Sequence, residues 1–302
     1  MTAPRILFVP GLNPKPPREL YRPQLMRTLA AGLARSRPAA AAWFAAHPDA
    51  FRLVAWTYLF YGAHRDITVD LPGIERLLAQ AGPSAEDLGE LHSLPRRWKR
   101  WSYVIGDTWP LLGRWLAPAA TRRLMHEANR YLKNRGGVGD GVRAVLRAEL
   151  DSAWQAGAQV LLIGHSLGSV IAYDTLWELS RVRGSPGRID LFVTMGSPLA
   201  THFIQRKVAG SRERGAARYP ANVGRWVNFT ARGDTTALKP RLAPTFGEMV
   251  TLGLLESIDD TVGFDNYFRG ELGYNEHEAY GYLSQAVVGS VVGDWLAKNA
   301  LV

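Results

Sequence analysis

The stretch Gln159-Val160-Leu161-Leu162-Ile163-Gly164-His165-Ser166-Leu167-Gly168 decides how this chain is read. A short, continuous apolar run of the kind found in buried parallel strands leads into Gly-His-Ser-Leu-Gly. A helical pattern follows through Leu179, in which Val170, Tyr173, Leu176, Trp177 and Leu179 recur at near-helical spacing. Strand, Gly-x-Ser-x-Gly and helix in that order are the signature of a nucleophile elbow. The turn is so sharp that a side chain two positions before or after the serine would collide with neighbouring backbone, hence the two glycines. Ser166 is therefore the candidate nucleophile, and the helix N-terminus beneath it favours the negative charge that develops in acyl transfer. In a chain with 30 glycines the pentapeptide alone could arise by chance. The strand before it and the helix after it argue against that.

Composition narrows the chemistry. With 302 residues, 47% hydrophobic and 21% charged, the chain is long enough for one large domain carrying an insertion, and it is read as a single domain over 1–302. It contains no cysteine, which excludes disulfides, thiolate metal sites and a cysteine nucleophile. Met1 to Gly11 enters an apolar strand directly, without a leader pattern, and no run approaches the roughly 18 apolar residues that span a bilayer. The expectation is a cytoplasmic protein. A net charge of +9 favours anionic partners, but the arginines are scattered and no nucleic-acid-binding motif accompanies them, so no nucleic acid is expected.

Five segments read as strands: Arg5 to Val9, Arg52 to Trp56, Gln159 to Ile163, Ile189 to Thr194 and Arg225 to Thr230. Helical patterns lie between and after them at Glu19 to Arg35, Leu71 to Ala81, Val142 to Gln155, Leu167 to Ser180 and Leu283 to Lys298. The alternation predicts an α/β fold with a mainly parallel sheet flanked by helices, whose ligands collect at the carboxyl ends of strands. The tract 83–135 breaks the alternation. It holds Trp98, Trp101, Trp109 and Trp115 and the cluster Arg96, Arg97, Lys99 and Arg100, and it reads as a helical cap inserted over the active-site face. Gly136 to Gly141 then reads as the loop that returns the chain to the core and as a hinge.

A serine hydroxyl needs an imidazole to take its proton and a carboxylate to orient that imidazole. In the order Ser, acid, His, the histidine comes last. Of the seven histidines, five lie before or within the elbow, and His202 follows too soon to leave room for a strand and an acid. His277 remains, in a polar turn before the C-terminal helix. The acid should follow a strand, and Asp234 follows Trp226 to Thr230; Glu256, Asp259, Asp260 and Asp265 lack a clear preceding strand and read as solvated or capping carboxylates. The oxyanion hole requires two N–H donors. Leu167, next after the nucleophile, supplies one, and Leu12, in the glycine turn after the first strand, supplies the other, with Asn13 behind it.

Gly164 to Asp174 closely resembles the elbow of intracellular lipase-like proteins, including DDHD-type phospholipases. Phe192-Val193-Thr194-Met195-Gly196-Ser197-Pro198-Leu199 resembles the strand and turn that follow it there. The chain is thus similar to α/β-hydrolases of the lipase/esterase kind, and the resemblance implies the α/β-hydrolase fold. Pro10 stands where many members carry a histidine, and no DDHD signature surrounds His277, so phospholipase activity is not carried over. In that family His165 shapes the elbow. The expected function is cleavage of carboxylic esters by Ser166, His277 and Asp234 through an acyl-enzyme, without cofactor or metal. The same triad serves thioesterases, amidases and acyltransferases, and a non-catalytic lipid- or protein-binding member is the alternative from another class. The expected partner is a small-molecule or lipid ester, with Arg96, Arg97, Lys99 and Arg100 touching an anionic membrane surface.

Overall fold

A computed structural model of the protein describes residues 4–91, 93 and 119–300. Six strands form one sheet: β1 (Arg5–Val9), β2 (Phe51–Leu53), β3 (Val160–His165), β4 (Ile189–Met195), β5 (Val223–Ala231) and β6 (Ser257–Phe264). Their order is β2-β1-β3-β4-β5-β6, and every neighbouring pair is parallel. β3 explains why its sequence is apolar throughout. Leu161 and Ile163 pack with helices Arg18–Ala34 and Ala286–Ala300, whereas Val160 and Leu162 pack with Val138–Gln155 and Leu167–Trp177 on the other face. Both faces are covered, so the period-two alternation of a half-exposed strand has no polar partner residue to display. Each such aliphatic side chain contributes about 1.5–3 kcal/mol by its burial.

The strand order places the site. From β1 the chain runs outward to β2, then crosses back to β3 and continues away to β6. The direction reverses between β1 and β3, and a crevice opens at the carboxyl ends of strands at such a switch point. Gly11 and Leu12 follow β1, and Ser166 follows β3, so they flank this crevice.

Several elements differ from the sequence expectation. The second strand ends at Leu53, and the chain turns into the helix Thr57–Tyr61. Trp56 is fully buried and donates its indole N–H to the Pro10 carbonyl at 2.9 Å, so it holds the loop after β1 instead of extending a strand. The sixth strand, β6, was not expected. It is an edge strand paired on one side, and its Asp259, Asp260, Thr261 and Gly263 hide it among loop-like residues. The glycine-rich return is not a loop throughout. Only Arg135–Gly137 forms a 3-10 turn, and the next helix begins at Val138. Gly139 lies within that helix, where the Tyr131 carbonyl comes within 2.9 Å of the position a Cβ would take. The last helix is divided into Ala279–Leu283 and Ala286–Ala300.

Of the tract 83–135, helices Ala85–Leu91 and Ala119–Leu132 are described; Trp98, Trp101, Trp109, Trp115, Arg96, Arg97, Lys99 and Arg100 lie outside the described residues. The first helix is tied to the site side of the molecule by Arg269, which binds Asp87 at 3.0 Å and Glu90 at 2.8 Å. The second is tied by Tyr61, whose hydroxyl donates to Glu127 at 2.7 Å and accepts the Asn13 N–H at 2.9 Å. Among the described residues no helix is long and apolar enough to cross a membrane.

Candidate active site

Ser166 occupies the strand-to-helix turn with φ 55° and ψ −128°, a backbone region that L-residues rarely adopt. The turn is held by the Ser166 N–H, which donates to the Met195 carbonyl at 2.9 Å. Both glycines are required by close approach: a Cβ on Gly164 would stand 2.6 Å from Ser169 Cα, and one on Gly168 would overlap the Val9 carbonyl. Ser169 links the start of the helix to the next loop. Its hydroxyl shares a 2.7 Å hydrogen bond with Ser197, in the Gly-Ser-Pro turn after β4.

Asp234 and His277 are joined. The His277 Nδ1–H donates to Asp234 Oδ2 at 2.8 Å, and the Asp234 side chain is fully buried. The same oxygen accepts the Tyr282 hydroxyl at 2.6 Å, while Oδ1 accepts the Thr236 N–H at 2.8 Å. Burial alone would raise the Asp234 pKa. The charge of His277 and these hydrogen bonds outweigh it and hold the carboxyl below its ordinary value. For His277, burial works against the imidazolium, but the Asp234 charge and hydrogen bond, helped by Glu278 and Glu276, bring its pKa above the ordinary histidine value. Because Nδ1 is committed to the carboxylate, Nε2 is left as the free ring nitrogen. Gly196, at φ 56°, makes room for the pair: a Cβ there would lie 2.7 Å from Asp234 Oδ2 and 2.8 Å from His277 Nδ1.

The loop that carries His277 is fastened at three successive carbonyls. Buried Asn266 donates to the carbonyls of Glu276 at 3.0 Å and Glu278 at 2.9 Å, and His165 Nε2–H donates to that of His277 at 2.7 Å. The rings of His165 and His277 face each other with centroids 4.8 Å apart. His165 is neutral, since burial, then the charges of His277 and Lys15, push its pKa well below the ordinary value. Its Nδ1 lone pair is buried without a partner beside Gly11. His277 therefore stands next to the residue that precedes Ser166. The Ser166 hydroxyl itself makes no hydrogen bond to His277 or to any other group among the described residues.

The loop after β1 lies against the serine, for a Cβ on Gly11 would stand 2.7 Å from Ser166 Cβ. Among the described residues the N–H groups of Leu12 and Leu167 are uncommitted, whereas that of Asn13 is taken by Tyr61. The four other acids have structural partners. Asp260 accepts from the Leu242 and Ala243 N–H groups and from Asn228; Asp259 pairs with Arg225, Glu256 with Arg188 and Asp265 with Arg232. Tyr282 and the clasp made by His165 were not legible beforehand, because they meet their partners 48 and 112 residues away, and neither was Asn266, which reads as an ordinary loop residue. No protein-family model, curated protein or solved structure matches the chain.

Proposed function

We propose that the protein is a serine hydrolase of the α/β-hydrolase fold that cleaves carboxylic esters. The observation that carries this reading is a serine at φ 55° on a strand-to-helix turn, whose preceding residue, His165, faces at 4.8 Å a histidine bonded through Nδ1 to a fully buried carboxylate. The serine follows β3, the acid follows β5 and the histidine precedes the C-terminal helices, which is the order Ser, Asp, His of that fold. Ser166 Oγ attacks the acyl carbonyl while His277 Nε2 takes its proton and Asp234 stabilises the imidazolium. The N–H groups of Leu12 and Leu167 receive the oxyanion, drawn by the partial positive charge at the helix start. His277 then gives the proton to the departing alcohol. Water, deprotonated by the same nitrogen, attacks the acyl-enzyme and releases the acid. Because Ser166 makes no hydrogen bond to His277 among the described residues, the proton transfer requires the bound acyl group to bring Oγ within reach of Nε2. Helices Ala85–Leu91 and Ala119–Leu132, tied through Arg269 and Tyr61, are the described parts of the cap in this reading.

A fluorophosphonate probe tests this reading. Wild type should be labelled at Ser166 and Ser166→Ala should not, while Asp234→Asn should slow labelling about 10⁴-fold, since the amide favours the wrong imidazole tautomer. An unlabelled wild type, or equal labelling of Ser166→Ala, would sink it and leave the non-catalytic alternative. A panel of matched esters, thioesters and amides then orders the substrate classes.

A further inference from the structure

A cavity of about 200 Å³ opens at the carboxyl ends of β1 and β2, lined by Pro10 after the first strand and by Ala55 and Thr57 after the second. The strand on the other side of β1 is β3, whose end carries Ser166. Neighbouring strands lie about 4.8 Å apart, so the cavity is on the order of 5–10 Å from the nucleophile. Its lining holds Lys15, Arg18 and His64 against a single carboxylate, Glu19. Arg18 leans toward Glu149 at 3.7 Å, but the Lys15 ammonium has neither hydrogen bond nor ion pair among the described residues.

Two further donors beside it lack acceptors. Tyr21, which lines the cavity and is 2% exposed, has a buried hydroxyl with no partner. Arg65 pairs with Asp70 through one terminal nitrogen and keeps its Nε buried and unpartnered. Asp70, which answers the Arg65 terminal nitrogen, also accepts the Tyr280 hydroxyl, and Glu278 caps the helix Ala279–Leu283, so the Arg65 Nε and the Tyr21 hydroxyl are left over. Burial, opposed by the charge of Glu278 and reinforced by that of Arg65, draws the Lys15 pKa below its ordinary value. Buried polar groups are almost always paired, and two unanswered donors lining one cavity, the Lys15 ammonium and the Tyr21 hydroxyl, describe the complement of an anion.

We infer that this cavity is a subsite for a carboxylate carried by the substrate, so that the ester cleaved at Ser166 is an acidic one, such as the half-ester of a dicarboxylic acid. The inference rests on the serine-hydrolase reading for the reaction, but the binding can be measured apart from it. Ser166→Ala protein, which leaves esters intact, is titrated calorimetrically with monomethyl adipate against methyl hexanoate, and with ω-acetoxyhexanoate against hexyl acetate. The two pairs carry the carboxylate on the acyl and on the alcohol side. In at least one pair the acid should bind about tenfold or more tightly than its neutral analogue, and adding Lys15→Met should erase the difference. Tyr21→Phe should weaken the acid several-fold with an unchanged or higher Tm, because it deletes a hydroxyl that has no partner in the free protein. Equal binding within both pairs, or a preference that survives Lys15→Met, would overturn the subsite. Turnover by the wild type separates the two ideas: preference without turnover removes the hydrolase and keeps the subsite, and turnover without preference does the reverse.

Discussion

His277 is pulled in two directions, and the balance predicts how activity depends on pH. Burial favours the neutral ring, while Asp234, Glu278 and Glu276 favour the imidazolium and prevail, so its pKa lies above the ordinary histidine value. Only the neutral form can accept the proton of Ser166. The kcat/KM for an ester should therefore rise with pH and level off, with its inflection above about 6.5. In Asp234→Asn the largest opposing influence is gone, and the inflection should move down while the plateau falls about 10⁴-fold. A wild-type inflection at or below the ordinary value would contradict the assignment. Tyr282 acts at one remove, as a positioning residue. Its hydroxyl donates to Asp234 Oδ2 at 2.6 Å and accepts the Ala231 N–H at 2.9 Å. A hydrogen bond to a charged group is worth about 1.5–3 kcal/mol, so Tyr282→Phe should lower the midpoint of urea unfolding. It should also lower kcat with little change in KM, a split that a purely structural loss of folded protein would not give. Ser166, Asp234 and His277 were legible because their chemistry and order along the chain are constrained together. Tyr282 was not, since a tyrosine on an apolar helix reads as core until its partner 48 residues away is known.

At the level of elements, the edge strand β6 sets two adjacent aspartates side by side with opposite consequences. Asp260 turns inward and takes the N–H groups of Leu242 and Ala243 and the amide of Asn228, at 2.8–3.0 Å. Asp259 faces out and meets only exposed Arg225 and Ser257. Removing a carboxylate that answers several partly buried donors costs about 1–3 kcal/mol for the donors left unpaired, whereas an exposed ion pair is worth about 0–1 kcal/mol. Asp260→Ala should thus shift the urea midpoint clearly, and Asp259→Ala should leave it nearly unchanged. Equal effects would mean that β6 is not seated as described. The pair also explains what could be read in advance. β1, β3 and β4 announce themselves because two covered faces demand nearly unbroken apolar runs, and β5 by its β-branched and aromatic residues. β6 is paired on one side only and carries charges that protect an edge, so its residues resemble those of a loop. The longer helices were legible from their apolar spacing, whereas Pro38–Ala46, whose alanines give no apolar stripe, and Thr57–Tyr61 were not. The ends of the longer helices were not, because the helix starting at Val138 admits Gly139, which close approach to the Tyr131 carbonyl favours and propensity alone would exclude.

Across the whole molecule, Asp174 joins parts that are distant in sequence. It lies buried on the elbow helix, accepting the Tyr131 hydroxyl from helix Ala119–Leu132 at 2.9 Å and the Ala209 N–H from the loop beyond β4 at 2.8 Å. The base of the proposed cap is therefore fastened to the helix that begins at the nucleophile. Burial raises the Asp174 pKa to about 6, against the opposing influence of its two hydrogen bonds and of Arg143. The folded state thus holds this proton more tightly than the unfolded chain does. Its contribution to stability is fully present below the unfolded value of 3.8 and is lost as pH rises through about 6. That interval corresponds to about 3 kcal/mol. His165 tilts the balance the other way, since it is neutral when folded and charges in the unfolded chain below about 6.5, so it destabilises the fold on acidification. The pH dependence of the wild type alone mixes these slopes with those of His277 and Asp234. Asp174→Asn separates them, because the asparagine oxygen still accepts from Ala209 and its amide can donate to the Tyr131 oxygen. Urea unfolding of both proteins at pH 4, 5, 6 and 7 and constant ionic strength should show the wild type losing about 2 kcal/mol relative to the variant across that range. A difference that stays flat with pH would mean that Asp174 is already ionised in the folded protein at pH 4, and that the tie between elbow helix and cap base is made by a carboxylate throughout.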